Sequence, residues 1–591
     1  MLNRFLPRES FSSYEDFIRN YRVEAPADFN FAVDVVDAWA RADPNKSALV
    51  WCDDAGDERR FTFGEVSLES ARAAVAFSRM GIGKGDAVLL LLKRRWQFWI
   101  YAPALMRLGA VYIPATVQLT KKDLVYRCNA ASVRAVVTIT EPDISSALAE
   151  ALGACADVRA AAFVRSEPRA AAAETPFAPP PTWIDLNAAV ASVTDAEAAA
   201  FRDRKPAGGG GDPMLLYFTS GTTGMPKMVL HDFLHPLGHI VTARYWQQLR
   251  PDDLHISVAD TGWAKCGWGK IYGQWIVGAA NFVYDMDRFN VANLLRKLEK
   301  YRVTTFCAPP TIYRFMIQED LSAYDLSSLR LALTAGEPLQ SEVFKRFKHA
   351  VGLPILEGFG QTEGSVLCAS FPWDEPRPGS MGKPAPLYGL DIIDDAGKSC
   401  PAGVEGRVVV TGLGRDGGAG AAPDAAPALG SRPVGLFRGY YRDEAATARV
   451  MHDGYYETGD VAWRDEDGYY WFVGRSDDVI KCSGYRIGPF EVESALQSHQ
   501  AVLECAVTAA PDPIRGQVVK ATVVLARGWE PSDELAAKLQ EHVKSVTAPY
   551  KYPRIIEFVA ELPKTVSGKI RRVEIRANDD KKGSETGART P

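Results

Sequence analysis

A loop of small hydroxylated residues and glycines follows a hydrophobic run and closes with a proline and a lysine. The run at residues 214–218 predicts a buried strand. Glycines would let backbone N–H groups approach phosphate oxygens, hydroxyls would donate hydrogen bonds, and Lys227 would supply a positive charge. The GxxxxGK[ST] pattern of the common nucleotide loop does not fit, and a flexible polar turn is the alternative interpretation. The predicted phosphate-binding residues are Thr219, Ser220, Gly221, Thr222, Thr223, Gly224 and Lys227.

The elements that must position this loop alternate between strands and helices. Residues 86–115 predict a strand, a helix over 96–108 and a second strand at 111–113. Helical patterns at 291–300 and 341–349 separate later strand-like runs. Alternation of this kind predicts an α/β fold with mainly parallel sheets. The later predicted strands cover residues 136–139, 304–307 and 331–334.

Two stretches have the composition of surface insertions. Residues 167–200 are rich in alanine, and residues 412–433 are dominated by glycine, alanine and proline. The second contains a formal GxGxxG, but Pro423 and Pro427 follow where a dinucleotide-binding fingerprint requires a helix. We therefore predict no dinucleotide site there.

Composition excludes several classes of protein. A chain of 591 residues is too long for one core, and its net charge of −5 gives no basic field for nucleic acid. No apolar run approaches the ~18 residues that a transmembrane helix needs, and the N-terminus lacks the apolar core of a signal peptide. The 9 cysteines form no CxxC pair and the 8 histidines form no ligand-spaced cluster with them. This pattern favours reduced thiols in a cytoplasmic protein over disulfides or a zinc site.

The pattern changes after Gly474. A helix at 491–499, strands at 503–508 and 518–525 and a helix at 533–546 predict a small α+β domain. The final residues are polar and lack apolar periodicity, which predicts disorder. The predicted division is a large domain at 1–475, a C-terminal domain at 476–577 and a disordered tail at 578–591.

Further motifs complete a constellation with the loop. They are Gly336-Glu337-Pro338, Phe359-Gly360-Gln361-Thr362-Glu363, Tyr456-Glu457-Thr458-Gly459-Asp460, Gly474-Arg475-Ser476-Asp477-Asp478 with Gly484-Tyr485-Arg486, and Pro563-Lys564-Thr565-Val566-Ser567-Gly568-Lys569. Their order and spacing resemble the adenylate-forming (AMP-binding) superfamily of acyl-CoA synthetases, adenylation domains and luciferases. The resemblance covers roughly residues 30–575, and the block at 542–554 is most similar to medium-chain acyl-CoA synthetases.

The resemblance implies an architecture and a reaction. The architecture is a large N-terminal domain with mainly parallel sheets and a β-subdomain, followed by a small mobile α+β C-terminal domain. The reaction is that of an acid–thiol ligase: a carboxylate attacks the α-phosphorus of ATP and releases pyrophosphate, and CoA then displaces AMP to give acyl-CoA. Two anions meet in the first step, so the site needs cations and aimed donors. The implied cofactors are ATP, Mg²⁺ and coenzyme A.

The resemblance also implies roles for single residues. Thr222 and Lys227 would act on the β- and γ-phosphates, Glu363 would bind Mg²⁺ as a hard oxygen ligand, and Asp460 would accept hydrogen bonds from the ribose hydroxyls. Phe359 stands where tyrosine is usual, and stacking on adenine needs only its aromatic face. The remaining residues expected around the nucleotide are Gly336, Glu337, Pro338, Gly360, Gln361, Thr362, Arg475, Gly484 and Arg486. Without the other motifs, Asp460 is as well explained as a turn residue and Arg475 as a surface ion-pair partner.

Lys569 is the expected catalytic cation of the adenylation step. The resemblance places it against the substrate carboxylate and the α-phosphate, with Asp477 as the hinge residue. A domain rotation would then remove Lys569 and bring the Gly484 loop to the thioester site. Acylation of the Lys569 amine would stop adenylation, which makes a lysine acetyltransferase or deacylase a candidate partner.

The acid is expected to be larger than acetate. Gly360 stands where a tryptophan closes the acyl tunnel of acetate-specific relatives, and glycine there implies an open pocket. Trp263, in Asp260-Thr261-Gly262-Trp263, resembles the entrance of the medium-chain acyl pocket, although plain core packing explains it equally well. Chain-length discrimination is expected to be broad, because neighbouring lengths differ by only ~1–3 kcal/mol.

Two other functions remain open from the sequence. One is an adenylating enzyme that loads a carrier protein, although no carrier domain follows Lys569 and no ammonium-binding aspartate is assignable near Trp263. The other is a catalytically silent acyl- or nucleotide-binding regulator, which the retained charged residues disfavour. A light-emitting oxidase is formally open on the same fold, as is a homo-oligomeric state.

Overall fold

The computed structural model describes residues 1–165, 177–219, 225–413, 432–482, 485–512, 516–564 and 570–587. Its strands, in chain order, are β1 (Ser47–Asp53), β2 (Glu58–Thr62), β3 (Ala87–Leu91), β4 (Val111–Pro114), β5 (Val133–Ile139), β6 (Ala160–Val164), β7 (Ile184–Asp185), β8 (Pro213–Thr219), β9 (Lys227–Asp232), β10 (Leu254–Ser257), β11 (Ala280–Asp285), β12 (Thr305–Ala308), β13 (Leu331–Ala335), β14 (Ile355–Gly360), β15 (Val366–Ala369), β16 (Ser380–Pro384), β17 (Gly389–Ile393), β18 (Gly406–Thr411), β19 (Gly439–Tyr440), β20 (Met451–His452), β21 (Tyr455–Arg464), β22 (Tyr470–Arg475), β23 (Ile480–Cys482), β24 (Tyr485–Ile487), β25 (Val502–Asp512), β26 (Gly516–Leu525) and β27 (Ile555–Phe558).

The α-helices, in chain order, are α1 (Tyr14–Asn20), α2 (Ala38–Ala42), α3 (Phe63–Arg79), α4 (Phe98–Arg107), α5 (Lys121–Ala130), α6 (Pro142–Leu152), α7 (Leu186–Ala191), α8 (Asp195–Arg202), α9 (His235–Ile240), α10 (Ala264–Lys270), α11 (Tyr272–Val277), α12 (Val291–Lys300), α13 (Pro310–Met316), α14 (Ser341–Val351), α15 (Glu444–Val450), α16 (Pro489–Gln497), α17 (Asp533–Val546) and α18 (Arg572–Gly587). Short 3₁₀ turns cover Leu2–Arg4, Leu321–Ala323 and Pro549–Lys551, and π-helical turns cover Ala32–Asp37 and Val241–Trp246.

Two sheets with parallel centres carry the large domain. In the first, β1, β11, β10, β12, β13 and β14 are neighbours in parallel. In the second, β8, β4, β3, β5, β6 and β7 are neighbours in parallel, and β9 and β19 extend one edge in antiparallel orientation. Helices connect the parallel strands, as the predicted alternation requires. The carboxyl ends of such strands are the usual place for a ligand.

An antiparallel unit continues from the first sheet. The strands β15, β16, β22, β21, β18 and β17 follow β14 in this order, and they form the β-subdomain. The strands after β22 form two small sheets, β23–β24 and β25–β26–β27, with α16 and α17 packed on the second. The architecture confirms the α/β class with a large N-terminal domain and a small α+β C-terminal domain.

The predicted elements lie close to those observed. The helices at 291–300 and 533–546 begin and end at α12 and α17, where Asn290 and Ser532 cap the first turns through their side-chain oxygens. Of the segment at 167–200, the structure describes residues 177–200, which contain β7, α7 and the beginning of α8. Ala198 of α8 packs against Ala71 of α3.

The tail differs from the prediction of disorder. Helix α18 extends over Arg572–Gly587, and residues 588–591 lie outside the described part of the chain. Ile575 is buried in a small cluster with Leu562, and Asp579 forms an ion pair with Lys520. A few apolar and charged contacts therefore hold a segment that has low apolar periodicity of its own.

Candidate active site

The predicted phosphate-binding loop connects two paired strands. Thr219 is the last residue of β8, Lys227 is the first of β9, and the two are paired across the antiparallel ladder. Ser220, Gly221, Thr222, Thr223 and Gly224 lie outside the described residues. Lys227 is exposed, and its ammonium nitrogen lies 4.7 Å from the centroid of the Tyr440 ring. The structure therefore places the Lys227 cation at the start of β9, beside an aromatic ring on β19.

Two neighbouring parallel strands of the first sheet end at the same edge. Gly336 directly follows β13 with a φ of +102°, a conformation that strains any residue with a Cβ. Gln361 directly follows β14, which ends in Phe359 and Gly360. Phe359 is half-buried, and its ring centroid lies 6.5 Å from that of Phe472. The predicted motifs Gly336-Glu337-Pro338 and Phe359–Glu363 are thus brought together.

Glu363 joins this edge to the second sheet. Its Oε1 accepts a hydrogen bond of 3.0 Å from the Tyr440 hydroxyl, and its carbonyl oxygen accepts one of 2.7 Å from the Phe437 N–H. Burial raises the pKa of the Glu363 carboxyl, and Tyr440, Arg475 and Lys227 act in the opposite direction. Glu363 is thus a half-buried carboxylate that faces cations, which suits it to a bound dication.

Asp460 lies at the centre of a hydrogen-bonded network. Its Oδ1 accepts a bond of 3.0 Å from Arg475 Nη1, and its Oδ2 accepts a bond from Gln361 Nε2. Gln361 is itself oriented by the Tyr456 hydroxyl, which donates to Gln361 Oε1 at 2.7 Å. Burial lowers the pKa of Arg475, but the pairing with Asp460 outweighs it, so the pKa is raised and the guanidinium stays charged. The network fixes an almost buried carboxylate next to the Gln361–Glu363 segment.

The position of Asp460 corrects one expectation. A turn residue was the alternative interpretation of Asp460, but it lies within β21, opposite Arg475 on β22. Gly459 has a φ of +73°, and a Cβ there would lie 2.6 Å from Arg475 Nη2. The glycine therefore gives the Arg475 side chain room to reach Asp460 without ending the strand.

The space beside Gly360 is occupied. A Cβ atom on Gly360 would overlap Cη2 of Trp268 and the carbonyl oxygen of Ser365. Trp268 lies on α10, five residues beyond Trp263, and its indole is almost fully buried. The Trp268 indole therefore packs directly against Gly360, and the open pocket that we expected there stays a prediction. Trp263 is half-buried and precedes α10, and Gly262 packs directly on the backbone of Ala115 and Thr116 at the end of β4.

The C-terminal residues are only partly described. Lys569 and Gly484 lie outside the described residues, and for Arg486 the structure describes the backbone in β24 but not the side chain. Lys564 and Ile570 form an antiparallel bridge that frames the segment containing Lys569. Asp477 is exposed in the turn between β22 and β23. Its neighbour Asp478 forms an ion pair of 2.6 Å with Arg576 of α18.

Two family models match different parts of the chain. The model of the AMP-binding enzyme family matches residues 36–415, and the model of the AMP-binding enzyme C-terminal domain matches residues 491–569. The chain belongs to the AMP-binding enzyme family. It is 38% identical to "Acyl-coenzyme A synthetase ACSM3, mitochondrial" of Mus musculus, over 97% of this chain and 94% of that protein. It is 40% identical to "Acyl-coenzyme A synthetase ACSM4, mitochondrial" of Rattus norvegicus, over 95% and 93%.

Solved structures of the AMP-binding family have the same fold. The anthranilate CoA ligase AuaEII in complex with anthranoyl-AMP is 28% identical, with a TM-score of 0.81 over 95% of this chain and 99% of that one. An acyl-CoA synthetase of Brucella canis is 32% identical, with a TM-score of 0.67 over 95% and 96%. The resemblance predicted from the motifs is confirmed.

Sequence reasoning missed three sets of residues at this AMP-binding site. They are Tyr440 beside Lys227 and Glu363, Trp268 beside Gly360, and three buried histidines behind Thr362. Tyr440 and the histidines at 231, 235 and 239 are visible in the sequence. Except for those of His239, their partners are more than 70 residues away, however, and spacing alone does not indicate them.

Proposed function

We propose that this chain is an ATP-dependent acyl-CoA synthetase. It would convert a carboxylic acid and ATP into an acyl-adenylate and pyrophosphate, and then convert the adenylate and CoA into acyl-CoA and AMP. The observation that carries the proposal is the Gln361–Asp460–Arg475 network next to Glu363 and Lys227. It combines an acceptor for hydroxyl groups, a site for a dication and a cation for phosphates within one edge of the fold.

Each residue would act on a different part of ATP. Asp460 accepts from two donors already, and a carboxylate has further lone pairs for ribose hydroxyls. Lys227 and the loop at Ser220, Thr222 and Thr223 would hold the β- and γ-phosphates. Phe359 and the Gly336–Pro338 segment would border the adenine, where an aromatic face and exposed backbone fit a flat base.

Glu363 fits Mg²⁺ by its chemistry and its surroundings. Tyr440 occupies Oε1 only, so lone pairs remain on the carboxylate. No group of three or more metal-ligating side chains occurs in the described part of the chain, which suits a metal held by one carboxylate together with phosphates. When bound, Mg²⁺ would neutralise charge on the phosphate oxygens.

Lys569 and the C-terminal domain would divide the two half-reactions. Lys569 would stabilise the charge that develops between the acid and the α-phosphate, while Arg475 stays with the ribose. Arg486 would lie near the phosphates, and rotation about Asp477 would then withdraw Lys569 and bring the Gly484 loop to the site of thioester formation. The exposed turn at Asp477 supports a hinge there, because few contacts would have to break.

The acid is proposed to be larger than acetate and limited by Trp268. Gly360 would leave the wall of the pocket without a side chain, and the Trp268 indole, which packs against Gly360, would limit the length of the acyl chain. Trp263 would border the entrance. The block at 542–554 is most similar to medium-chain acyl-CoA synthetases, so a medium-chain acid, or another acid larger than acetate, is the proposed class, with Trp268→Ala extending the range.

Further partners and the compartment are also proposals. The 9 cysteines are all buried and unbridged, which supports a reducing compartment, and we propose the cytoplasm. The two quoted mammalian relatives are called mitochondrial, so fractionation of the source cells decides between the two. None of the described helices has the length and apolarity that a bilayer crossing requires. Homo-oligomerisation and acylation of Lys569 by a lysine acetyltransferase stay proposals, to be tested by light scattering and mass spectrometry.

The test is acid-dependent exchange of radiolabelled pyrophosphate into ATP, with acids of graded length and without CoA. The proposal expects exchange that peaks beyond acetate, and acyl-CoA with AMP once CoA is added. Trp268→Ala should move the peak to longer acids. Exchange without a thioester would indicate a carrier-loading enzyme, and absence of exchange from a folded protein would indicate a silent binder.

A further inference from the structure

Three buried histidines form a row behind the Gln361–Glu363 segment. His231 lies on β9, and His235 and His239 lie one turn apart on α9. The ring centroids of His231 and His235 are 3.7 Å apart, and those of His235 and His239 are 4.7 Å apart. All three side chains are inaccessible to solvent or nearly so. The proposed reaction uses none of them directly.

The partners of the row assign its tautomers. His235 Nδ1 lies 3.1 Å from the carbonyl oxygen of Gly435, which can only accept, so Nδ1 carries the proton. His235 Nε2 must then accept from His239 Nε2 at 3.1 Å, and His239 Nδ1 can accept from the Thr242 hydroxyl at 3.4 Å. By the same reasoning His231 Nε2 donates to the carbonyl oxygen of Thr362 at 2.8 Å.

The surroundings keep all three rings neutral. Burial lowers the pKa of each histidine, to about 3 for His235, and His235 lowers the pKa of both neighbours further. The guanidinium of Arg432, paired with Asp232, acts in the same direction on His231 and His235. The other titratable side chains that face the row are the hydroxyls of Tyr217 and Tyr272, and burial raises the pKa of both. The row therefore works as a set of fixed donors.

The two donated bonds end on two segments that meet at Glu363. Thr362 is the residue before Glu363. Gly435 is two residues before Phe437, whose N–H donates to the Glu363 carbonyl. Gly238 on α9 packs against Gly435 so closely that a Cβ on Gly238 would lie 2.5 Å from the Gly435 Cα. This close approach lets His235 reach the carbonyl.

We infer that His231 and His235 are positioning residues: one holds the backbone before Glu363, the other holds the Gly435–Phe437 segment that bonds the Glu363 carbonyl, and together they set where the carboxylate meets Mg²⁺ and ATP. The inference rests on the proposed function of Glu363. His239 acts one step further away, because it completes the hydrogen bonding of His235. Loss of either donor leaves a buried carbonyl oxygen unsatisfied and frees the segment to move.

The test compares variants that keep or remove each donor. In His231→Gln the amide Nε2 can still donate to Thr362, and in His235→Asn the amide Nδ2 can still donate to Gly435. His231→Leu and His235→Leu remove the donors. His255→Leu is the matched control, since His255 is an equally buried histidine. Its Nδ1 lies 2.7 Å from the Thr305 hydroxyl, and neither residue contacts Glu363.

Calorimetric titration with ATP, in the presence of Mg²⁺ and in the presence of EDTA, is the readout. The leucine variants should weaken Mg²⁺-dependent binding about tenfold, the loss expected for one buried hydrogen bond, and leave binding in EDTA within about twofold. The Gln and Asn variants should recover most of the affinity, and His255→Leu should bind like the wild type. Leucine variants with wild-type affinity, or amide variants as weak as the leucine ones, would overturn the inference.

Nitrogen-15 NMR of labelled histidines supplies a second readout. The inference expects a neutral Nδ1–H tautomer for His235 and neutral Nε2–H tautomers for His231 and His239 at pH 7. A charged ring, or an Nδ1–H tautomer at His231, would overturn it. A wild-type protein that binds Mg-ATP but exchanges no pyrophosphate with any acid would contradict the proposed function alone, whereas failure to bind Mg-ATP would contradict both.

Discussion

The substitution Asp460→Asn perturbs the proposed nucleotide site at its centre and keeps its shape. Both carboxylate oxygens accept from fixed donors, Oδ1 from Arg475 and Oδ2 from Gln361. The asparagine must turn its NH₂ group toward one of these donors, since it has only one oxygen. The charge that would bind the ribose hydroxyls is lost as well.

The magnitude follows from these contacts. A buried donor left without an acceptor costs ~1–3 kcal/mol, and hydrogen bonds to charged groups contribute ~1.5–3 kcal/mol. Part of the first cost is already present without ATP, so we expect a loss of ~1.5–3 kcal/mol in ATP binding, or about 10- to 100-fold. The assay is the KM for ATP in pyrophosphate exchange, together with the ATP dissociation constant from calorimetry.

Asp391→Asn is the matched control. Asp391 Oδ1 accepts from Arg464 at 3.1 Å and from the Ser399 hydroxyl at 2.9 Å within the same β-subdomain. It has the same chemistry as Asp460 but lies on β17, away from the Gln361–Glu363 segment. The control should leave the KM for ATP unchanged. A folded Asp460→Asn protein with a KM within about twofold of the wild type would refute the assignment of Asp460 to the ribose.

Three further substitutions test other parts of the site and the fold. Glu363→Gln keeps the bond from Tyr440 but removes the anion, so the adenylation rate should fall ~10²-fold and the Mg²⁺ requirement should rise; an unchanged Mg²⁺ titration would exclude Glu363 as a ligand. Gly360→Ala should lower the thermal midpoint and the rate with all acids, because its Cβ overlaps Trp268 and the Ser365 carbonyl at a cost of ~1–3 kcal/mol; an unaffected protein would show that α10 yields easily. Burial lowers the pKa of Lys270 to about 8, against 10.5 when unperturbed. The unfolded chain therefore keeps this proton to higher pH than the folded one. The free energy of unfolding of the wild type accordingly rises between pH 8 and 10.5. Lys270→Met should therefore be more stable than the wild type by about 3 kcal/mol at pH 7, with the gap closing toward pH 10.5 in calorimetric unfolding; a gap independent of pH would contradict this origin.

The fold was predictable where local signals agree. The helix Val291–Lys300 has strong apolar periodicity and a capping asparagine, and β8 is a continuous buried run, so each is evident from its own residues. The strand ends that carry the sequence motifs were predictable for the same reason. The helix at Arg572–Gly587 was not, because contacts of Ile575 and Asp579 with distant residues stabilise it.

The candidate site, too, was predictable only in part. The motifs identified Asp460, Arg475, Gln361 and Glu363, but not which atoms meet, because Gln361 and Asp460 are 99 residues apart. The filling of the space at Gly360 by Trp268 is a matter of packing between β14 and α10. Sequence spacing carries no information about such a contact. Asp460 alone is typical of a turn, whereas the strand β21 continues through it past Gly459.

One measurement tests the central claim most directly: the products of a single turnover, analysed by mass spectrometry. The protein would be mixed first with ATP, Mg²⁺ and a medium-length acid, and CoA would be added afterwards. The account predicts enzyme-bound acyl-adenylate and free pyrophosphate in the first stage, and acyl-CoA with AMP in the second. ADP and phosphate as products, or a thioester formed with no preceding adenylate, would contradict it.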